Sequence, residues 1–347
     1  MKKIIVPSIF IFTLVFYSCN NTANNNELDI TQNVMQIKGN LLSLDCLVGR
    51  PMYINCVDDT LLVFYDRYEG KLFTVFDIKN NKCVGRFVTE GNGPNEVLPP
   101  IRILQFPQKE KLYVFNEQTR YLYSFDIPAM NLQNKILFQD LPIMSYLGEL
   151  KDYYVAIGNW QDGRFGIYNR EGNLLRTEGE YPFSGEKMNF TQRFFTYQGH
   201  VSANPNGNCF VLGCSYSDNL EFYEVKENET ILLKQYGSYD AKTQYHTSDN
   251  AQGMSIEDDC IISYTWSHST NKYCYMLYSG KRYSETKPSS SGGNKIVVFD
   301  WEGNYIKTLE SAIRIMTFCV DENDSCIYAA VRADDGEIKI MHFNIEI

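Results

Sequence analysis

The sequence predicts an all-β fold, a six-bladed β-propeller closed by an N-terminal strand that completes the last blade. Three observations predict it. First, a hairpin signal recurs six times. An apolar strand starts at Leu61, Leu112, Tyr153, Cys209, Cys260 and Cys326, and each is followed by a second strand ending on an aromatic and then a polar residue: Phe76-Asp77, Phe125-Asp126, Tyr168-Asn169, Tyr223-Glu224, Phe299-Asp300 and Phe343-Asn344. Repeats of this length, built from short strands, read as propeller blades. Second, aromatic residues make up 14% of the 347 residues, led by 25 Tyr and 21 Phe. Such side chains suit pleated, half-buried surfaces. Third, the last repeat stops after three strands, while a strand-like segment, Val34-Leu44, stands unassigned ahead of the first. Pairing Val34-Leu44 as the outer strand of the final blade closes the ring and removes its open edges.

Each blade assembles from apolar or alternating runs bounded by turn residues. Blade one reads Met52-Asp58, Leu61-Tyr65, Leu72-Ile78 and Cys83-Val88, and blade two reads Ile101-Phe106, Leu112-Phe115, Leu122-Ile127 and Lys135-Phe138. Blade three runs from about Ser145 to Tyr181 with a tight turn at Asn169-Asn173. Blade four runs from about His200 to Tyr239, and blade five from about Gln252 to Leu309 with a matching turn at Trp301-Asn304. Blade six begins at Ile313. Five of the six hairpin spacings agree within a few residues. Blade five is longer, which reads as an insertion: Tyr273-Tyr278 as an additional strand, followed by a Ser/Gly-rich loop to Gly293.

The N-terminus reads as a targeting segment. Lys2 and Lys3 precede an apolar run, Ile4 to Tyr17, that is short of the roughly 20 residues needed to span a bilayer. It ends in Ser18-Cys19. A small residue before a Cys at this place is similar to a bacterial lipoprotein signal, in which the Cys takes the lipid, palmitate included, and becomes the mature N-terminus. The expected organisation is residues 1–18 as signal peptide, 19–33 as an Asn-rich flexible tether and 34–347 as the propeller. The expected location is the outer membrane, lipid-anchored through Cys19, on the periplasmic face rather than the cell surface. Of the nine remaining cysteines, Cys209, Cys260 and Cys326 occupy one repeated position in separate sheets, too far apart to bond. Most read as small buried hydrophobes. Cys319 with Cys326 is the best-placed pair for a disulfide.

Charge and motifs exclude several function classes. The net charge of −10 lacks the basic footprint that phosphate-backbone binding requires, so nucleic acid is not an expected partner. The four His (His200, His246, His268 and His342) fall in no metal-binding spacing. No cofactor or metal is expected. Asp321-Asp324 and Glu257-Asp259 read as solvated hairpin turns. Ligand-face candidates come from topology, because loops from second to third strands open on the same face as the blade crossovers. These loops hold Arg67 and Tyr68, Arg120 and Tyr121, and Trp160 with Arg164, while Trp266 and His268 follow the second strand of blade five. Aromatic and Arg side chains are enriched at binding hot spots. Arg102 is expected to point toward the channel mouth. Asn92, Asn95 and Glu96 join the set through the crossover loop Thr89-Glu-Gly-Asn-Gly-Pro-Asn-Glu96, in which Glu96 either faces a ligand or caps backbone donors.

That G-x-G-P-x-E stretch, the Tyr275-Met-Leu-Tyr-Ser-Gly280 segment, the lipoprotein start and the six repeats together resemble the TolB-like six-bladed β-propeller lipoproteins of Bacteroidetes. The resemblance covers nearly the whole mature chain and implies fold, export and lipid anchoring; it implies no substrate. The function expected is a non-catalytic propeller binding a small ligand or a protein partner on its face. The alternative is a hydrolase or lyase acting on a glycan or lactone, which rests on fold analogy.

Overall fold

A computed structural model describes residues 28–347 apart from 94, 143–145, 182–187, 239, 249–250, 287–290 and 334–335. The expected signal peptide and Cys19 lie outside the described residues, as do most of the expected tether, Pro94 and much of the Ser/Gly-rich loop. Antiparallel sheets of alternating, half-buried strands make up the chain. In blades one to five an inner strand, two middle strands and an outer strand follow one another in sequence, so every hairpin connects neighbours. Blade one is Tyr53–Val57, Leu61–Tyr68, Lys71–Asp77 and Lys82–Glu90. Blade two is Ile101–Ile103, Lys111–Asn116, Tyr121–Asp126 and Asn131–Leu137. Blade three is Tyr146–Glu149, Tyr154–Ile157, Phe165–Tyr168 and Leu174–Glu178, and blade four is Gly199–Ala203, Cys209–Cys214, Leu220–Val225 and Thr230–Tyr236.

Blades five and six share one 16-residue strand, Tyr305–Val320. Its first part pairs with Gly293–Asp300 as the outer strand of blade five. Its second part pairs with Cys326–Arg332 as the inner strand of blade six. Blade five is therefore Ile261–Ser269, Tyr273–Arg282, Gly293–Asp300 and the start of that strand. This corrects the sequence expectation in two respects. Cys260 precedes an inner strand, so it is not equivalent to Cys209 and Cys326. Tyr273–Arg282 is the ordinary second strand, and the extra elements are a hairpin before the blade, Thr243–Ser248 with Ala251–Ile256, and a short helix, Tyr283–Thr286.

The closure is split between two blades. Gly39–Leu41 pairs with Met341–Phe343 and completes blade six as its outer strand. Val34–Ile37, just ahead of it, pairs in parallel with Thr308–Ser311 in the outer strand of blade five. Close backbone approach explains a glycine here, because a Cβ on Gly39 would stand 2.6 Å from the Phe343 ring.

Six apolar cores, one between each pair of neighbouring blades, account for the ring. The last of them joins blade six to blade one through Ile54, Cys56, Leu62 and Phe64 packed on Cys319, Ala330 and Ile340. Every described cysteine is a free thiol. The expected Cys319–Cys326 pair is not adjacent: Cys319 stands opposite Tyr328 and Cys326 opposite Asn344. Cys319 instead meets Cys56 across the seam between blades six and one.

Candidate functional site at the channel mouth

Six inner strands surround the axis, each starting at the face where the crossovers run. The first residues of these strands therefore rim one end of the channel. Five side chains there close into a collar. The Arg102 guanidinium lies 3.8 Å over the Tyr146 ring. Tyr146 meets His200 at 5.9 Å between ring centres, His200 meets Trp266 at 6.0 Å, and Trp266 meets Tyr53 at 4.8 Å. Arg102 then closes the circuit by donating to the Tyr53 hydroxyl at 3.0 Å. Arg102 Nε also lies 2.6 Å from Glu117 Oε1, and Trp266 Nε1 donates to the Phe318 carbonyl of blade six at 3.1 Å.

Electrostatics at this mouth leave little charge to spare. Glu117 and Tyr53 surround the Arg102 guanidinium, and its flat face is covered by Tyr146 in a cation–π contact. Burial and the positive charge of Arg102 hold His200 neutral, pulling its pKa down to about 3. Burial raises the Tyr53 hydroxyl above its ordinary value. The channel is narrow at the collar and beneath it. Space open to the centre of a water molecule amounts to about 50 Å³, room for a few waters. Its floor is a polar cross-brace. Ser269 Oγ donates to the carbonyls of Gln105 (3.1 Å) and Ala203 (2.8 Å), tying blade five to blades two and four. Deeper still, His268 Nε2 lies 3.1 Å from Asn55 Oδ1, while Asn55 Nδ2 donates to the carbonyls of Leu104 and Phe106.

Arg102 and Trp266 lie in the collar, as their candidacy required. Trp266 reaches it from an inner strand, not from a loop after a second strand. His268 shares that strand but is fully buried and braces the channel wall. The remaining candidates lie away from the axis. Arg67 forms a two-pronged ion pair with Glu90 at the edge of blade one. Tyr68 stacks under Arg86, 4.7 Å from its ring centre. Arg120 occupies an exposed turn at φ +62°, and Tyr121 lies beneath Lys135. Trp160 is buried against Tyr168 and Gly166 in the core between blades two and three. Arg164 is buried, paired with Glu221 of blade four, and donates to Cys214 Sγ at 3.3 Å. Asn92 and Asn95 are exposed. Glu96 folds back under its own loop and accepts from the Gly93 N–H at 2.9 Å, which makes it a cap of that loop.

Tyr53, Tyr146, His200 and Glu117 were not anticipated from the sequence. A signal for three of them exists: Tyr53, Tyr146 and His200 stand at the start of an inner strand, eight or nine residues ahead of the following strand, and Trp266 stands seven ahead of Tyr273. Among the described residues, no three His, Cys, Asp or Glu side chains converge to hold a metal ion. No helix among them is long and apolar enough to cross a membrane.

Two parts of the chain add relief to the collar face beside blades four and five. The crossover from blade three carries a helix, Phe190–Thr196, whose Asn189 cap accepts from the Gln192 N–H. The crossover into blade five carries the extra hairpin, and Thr196 meets Thr243 between them, Oγ1 to Oγ1 at 3.2 Å.

Among solved structures, the chain is similar to an exported protein of Bacteroides fragilis, at 10% identity and a TM-score of 0.53, covering 90% of this chain and 99% of that one. It is also similar to the β-propeller domain of Cps50 (Swd1) from Myceliophteria thermophila, at 9% identity and TM-score 0.47, with 89% and 100% of the two chains covered. U3-55K aligns at 7% identity and TM-score 0.47, over 89% and 98%. At such identities the likeness to the B. fragilis protein speaks for the fold alone. No curated protein matches the sequence. The model of the TolB-like 6-blade propeller-like family matches residues 26–323. With six inter-blade cores and that match, the chain belongs to the TolB-like six-bladed propeller family.

Proposed function

We propose that this chain is an exported, lipid-anchored binding protein, and that its propeller holds a small, neutral, ring-shaped polar ligand at the channel mouth, a sugar unit being the chemistry that fits best. The closed collar of Arg102, Tyr146, His200, Trp266 and Tyr53 carries this reading. Aromatic faces with polar edges suit the alternating apolar and hydroxyl faces of a sugar ring. The Arg102 charge is already matched by Glu117, and His200 is uncharged, so a neutral ligand is favoured over a carboxylate. The narrow channel behind the collar keeps such a ligand at the mouth.

Anchoring rests on the Ser18-Cys19 signal and is consistent with a structural neighbour described as exported. Leu28 and Ile30 pack beside Trp301 and Tyr305. These lie at the turns joining third to fourth strands, on the face opposite the collar. A chain tethered from there presents its collar away from the membrane, toward the periplasm if the outer membrane holds it. Titration of the purified protein with a panel of mono- and oligosaccharides, read by tryptophan fluorescence, tests the site. Saturable binding is expected, weakened about tenfold in Trp266→Ala when that variant is followed by calorimetry, since it lacks the reporting indole; unchanged affinity in that variant overturns it. Membrane fractionation of a Cys19→Ser chain tests the anchor: release into the soluble fraction is expected, and unchanged membrane association overturns it.

A further inference from the structure

One pair of cysteines meets across the seam between the last and first blades. Cys56 lies on the inner strand of blade one and Cys319 on the inner strand of blade six. Their Sγ atoms stand 3.2 Å apart across 263 residues of sequence, both side chains fully buried.

We propose that Cys56–Cys319 is a disulfide site that staples the propeller ring where its first and last blades meet. This rests on the export reading, since disulfides persist in oxidising compartments outside the cytosol. The chemistry needs a disulfide oxidant, either a thiol–disulfide oxidoreductase or glutathione disulfide. One cysteine thiolate attacks a sulfur of the oxidant's disulfide, forming a mixed disulfide and releasing a thiolate. The second cysteine thiolate displaces the remaining oxidant sulfur. Two protein thiols lose two protons and two electrons, and the oxidant's disulfide becomes two thiols. The Cys56 and Cys319 sulfurs must close from 3.2 Å to about 2.05 Å, a movement within reach of rotation about the Cα–Cβ bonds.

Position and timing support the assignment. The seam is where the ring depends on a three-residue outer strand, Gly39–Leu41. A cross-link between residues far apart in sequence removes much of the disorder of the open chain. Burial lifts the Cys56 thiol well above its ordinary range. Little thiolate therefore exists once the blades have packed, so oxidation belongs to folding and not to the finished ring.

The test has two arms. In the first, the full chain is denatured, reduced, and refolded in a glutathione/glutathione disulfide buffer. Thiols are then alkylated and non-reduced peptides mapped by mass spectrometry. The expected result is loss of two thiols, with Cys56 peptides linked to Cys319. All thiols free, or links between other cysteines, overturns the proposal whatever the protein's location. In the second arm, protein from the cell envelope is alkylated at the moment of lysis. The same link there supports formation after export. Free thiols there, alongside the link in the first arm, overturn the reading that the chain matures in an oxidising compartment. A Cys56→Ser chain should lose none.

Discussion

Arg164 of blade three and Glu221 of blade four form an ion pair sealed between the blades, each side chain 2% exposed. Cys214 accepts a further hydrogen bond from the same guanidinium. Removing one partner leaves the other charged and dry. Glu221→Ala is therefore expected to destabilise the propeller by about 3–5 kcal/mol. Replacing both, Arg164→Met with Glu221→Leu, is expected to recover most of that loss, since a packed apolar pair avoids the desolvation cost. Denaturant unfolding of the three chains checks this; equal stability of Glu221→Ala and the parent contradicts it.

Two histidines make stability depend on pH. Burial holds His268 at about 3, and burial with Arg102 does the same for His200. An unfolded chain takes up protons at these histidines near pH 6.5, while the folded chain resists down to about 3. Stability is thus full above about pH 6.5 and falls through this window on acidification, by up to about 1.4 kcal/mol per pH unit for each histidine. His268 carries most of the effect, because His200 stands at the mouth within reach of water. Burial raises the carboxyls of Asp66, Glu149 and Asp324, so they add stability at lower pH and blunt the fall near the carboxylate range. Thermal melting between pH 7 and 5 should show a falling Tm, with a shallower slope in His268→Asn. A slope identical in the two chains contradicts the assignment.

The glycine-rich crossover is a self-contained turn, so its residues should matter for stability and not for ligand binding. A Cβ on Gly91 would stand 2.0 Å from Glu96 Oε2, displacing the carboxylate that caps the Gly93 N–H. Gly91→Ala and Glu96→Ala are each expected to cost about 1–2 kcal/mol, with saccharide affinity unchanged. Calorimetric melting and the binding titration together check this; lost affinity at unchanged stability contradicts it.

Ring closure should be sensitive at Gly39. A Cβ there meets the Phe343 ring and the Met341 side chain, 2.6 and 2.9 Å away. Gly39→Val is expected to displace the outer strand, expose the edge at Ile338–Asn344, and promote self-association. Light scattering and hydrogen exchange across Ile338–Asn344 measure it; a monomer with unchanged protection there contradicts it.

The middle strands were legible because burial against blades on both sides makes them continuous apolar runs, as in Leu112–Phe115 and Phe210–Leu212. Inner strands were harder to read. Their channel-facing positions carry Arg102, Tyr146, His200 and Ser202, which break the apolar pattern. Blade five misled for a different reason: its inner strand Ile261–Ser269 is long and opens on Cys260-Ile261-Ile262, so it passes as a second strand. The closing strand was recognised from the unpaired last blade, but its division between two blades depends on the Gly39–Phe343 contact, which is non-local. For the collar, topology pointed at the face that carries it, but most of the residues it named lie outside it. Loop arginines such as Arg67 and buried ones such as Arg164 find carboxylates nearby, at Glu90 and Glu221, and only contacts in space separate these from Arg102.

The most direct test of the account is isothermal titration of a sugar that the panel identifies, into the parent chain, Trp266→Ala and Trp160→Phe. Loss of affinity by up to about tenfold in Trp266→Ala, as expected for a lost stacking contact of up to about 1.5 kcal/mol, with Trp160→Phe unchanged, is the predicted result. Equal affinity in the parent and Trp266→Ala would contradict the collar as the binding site.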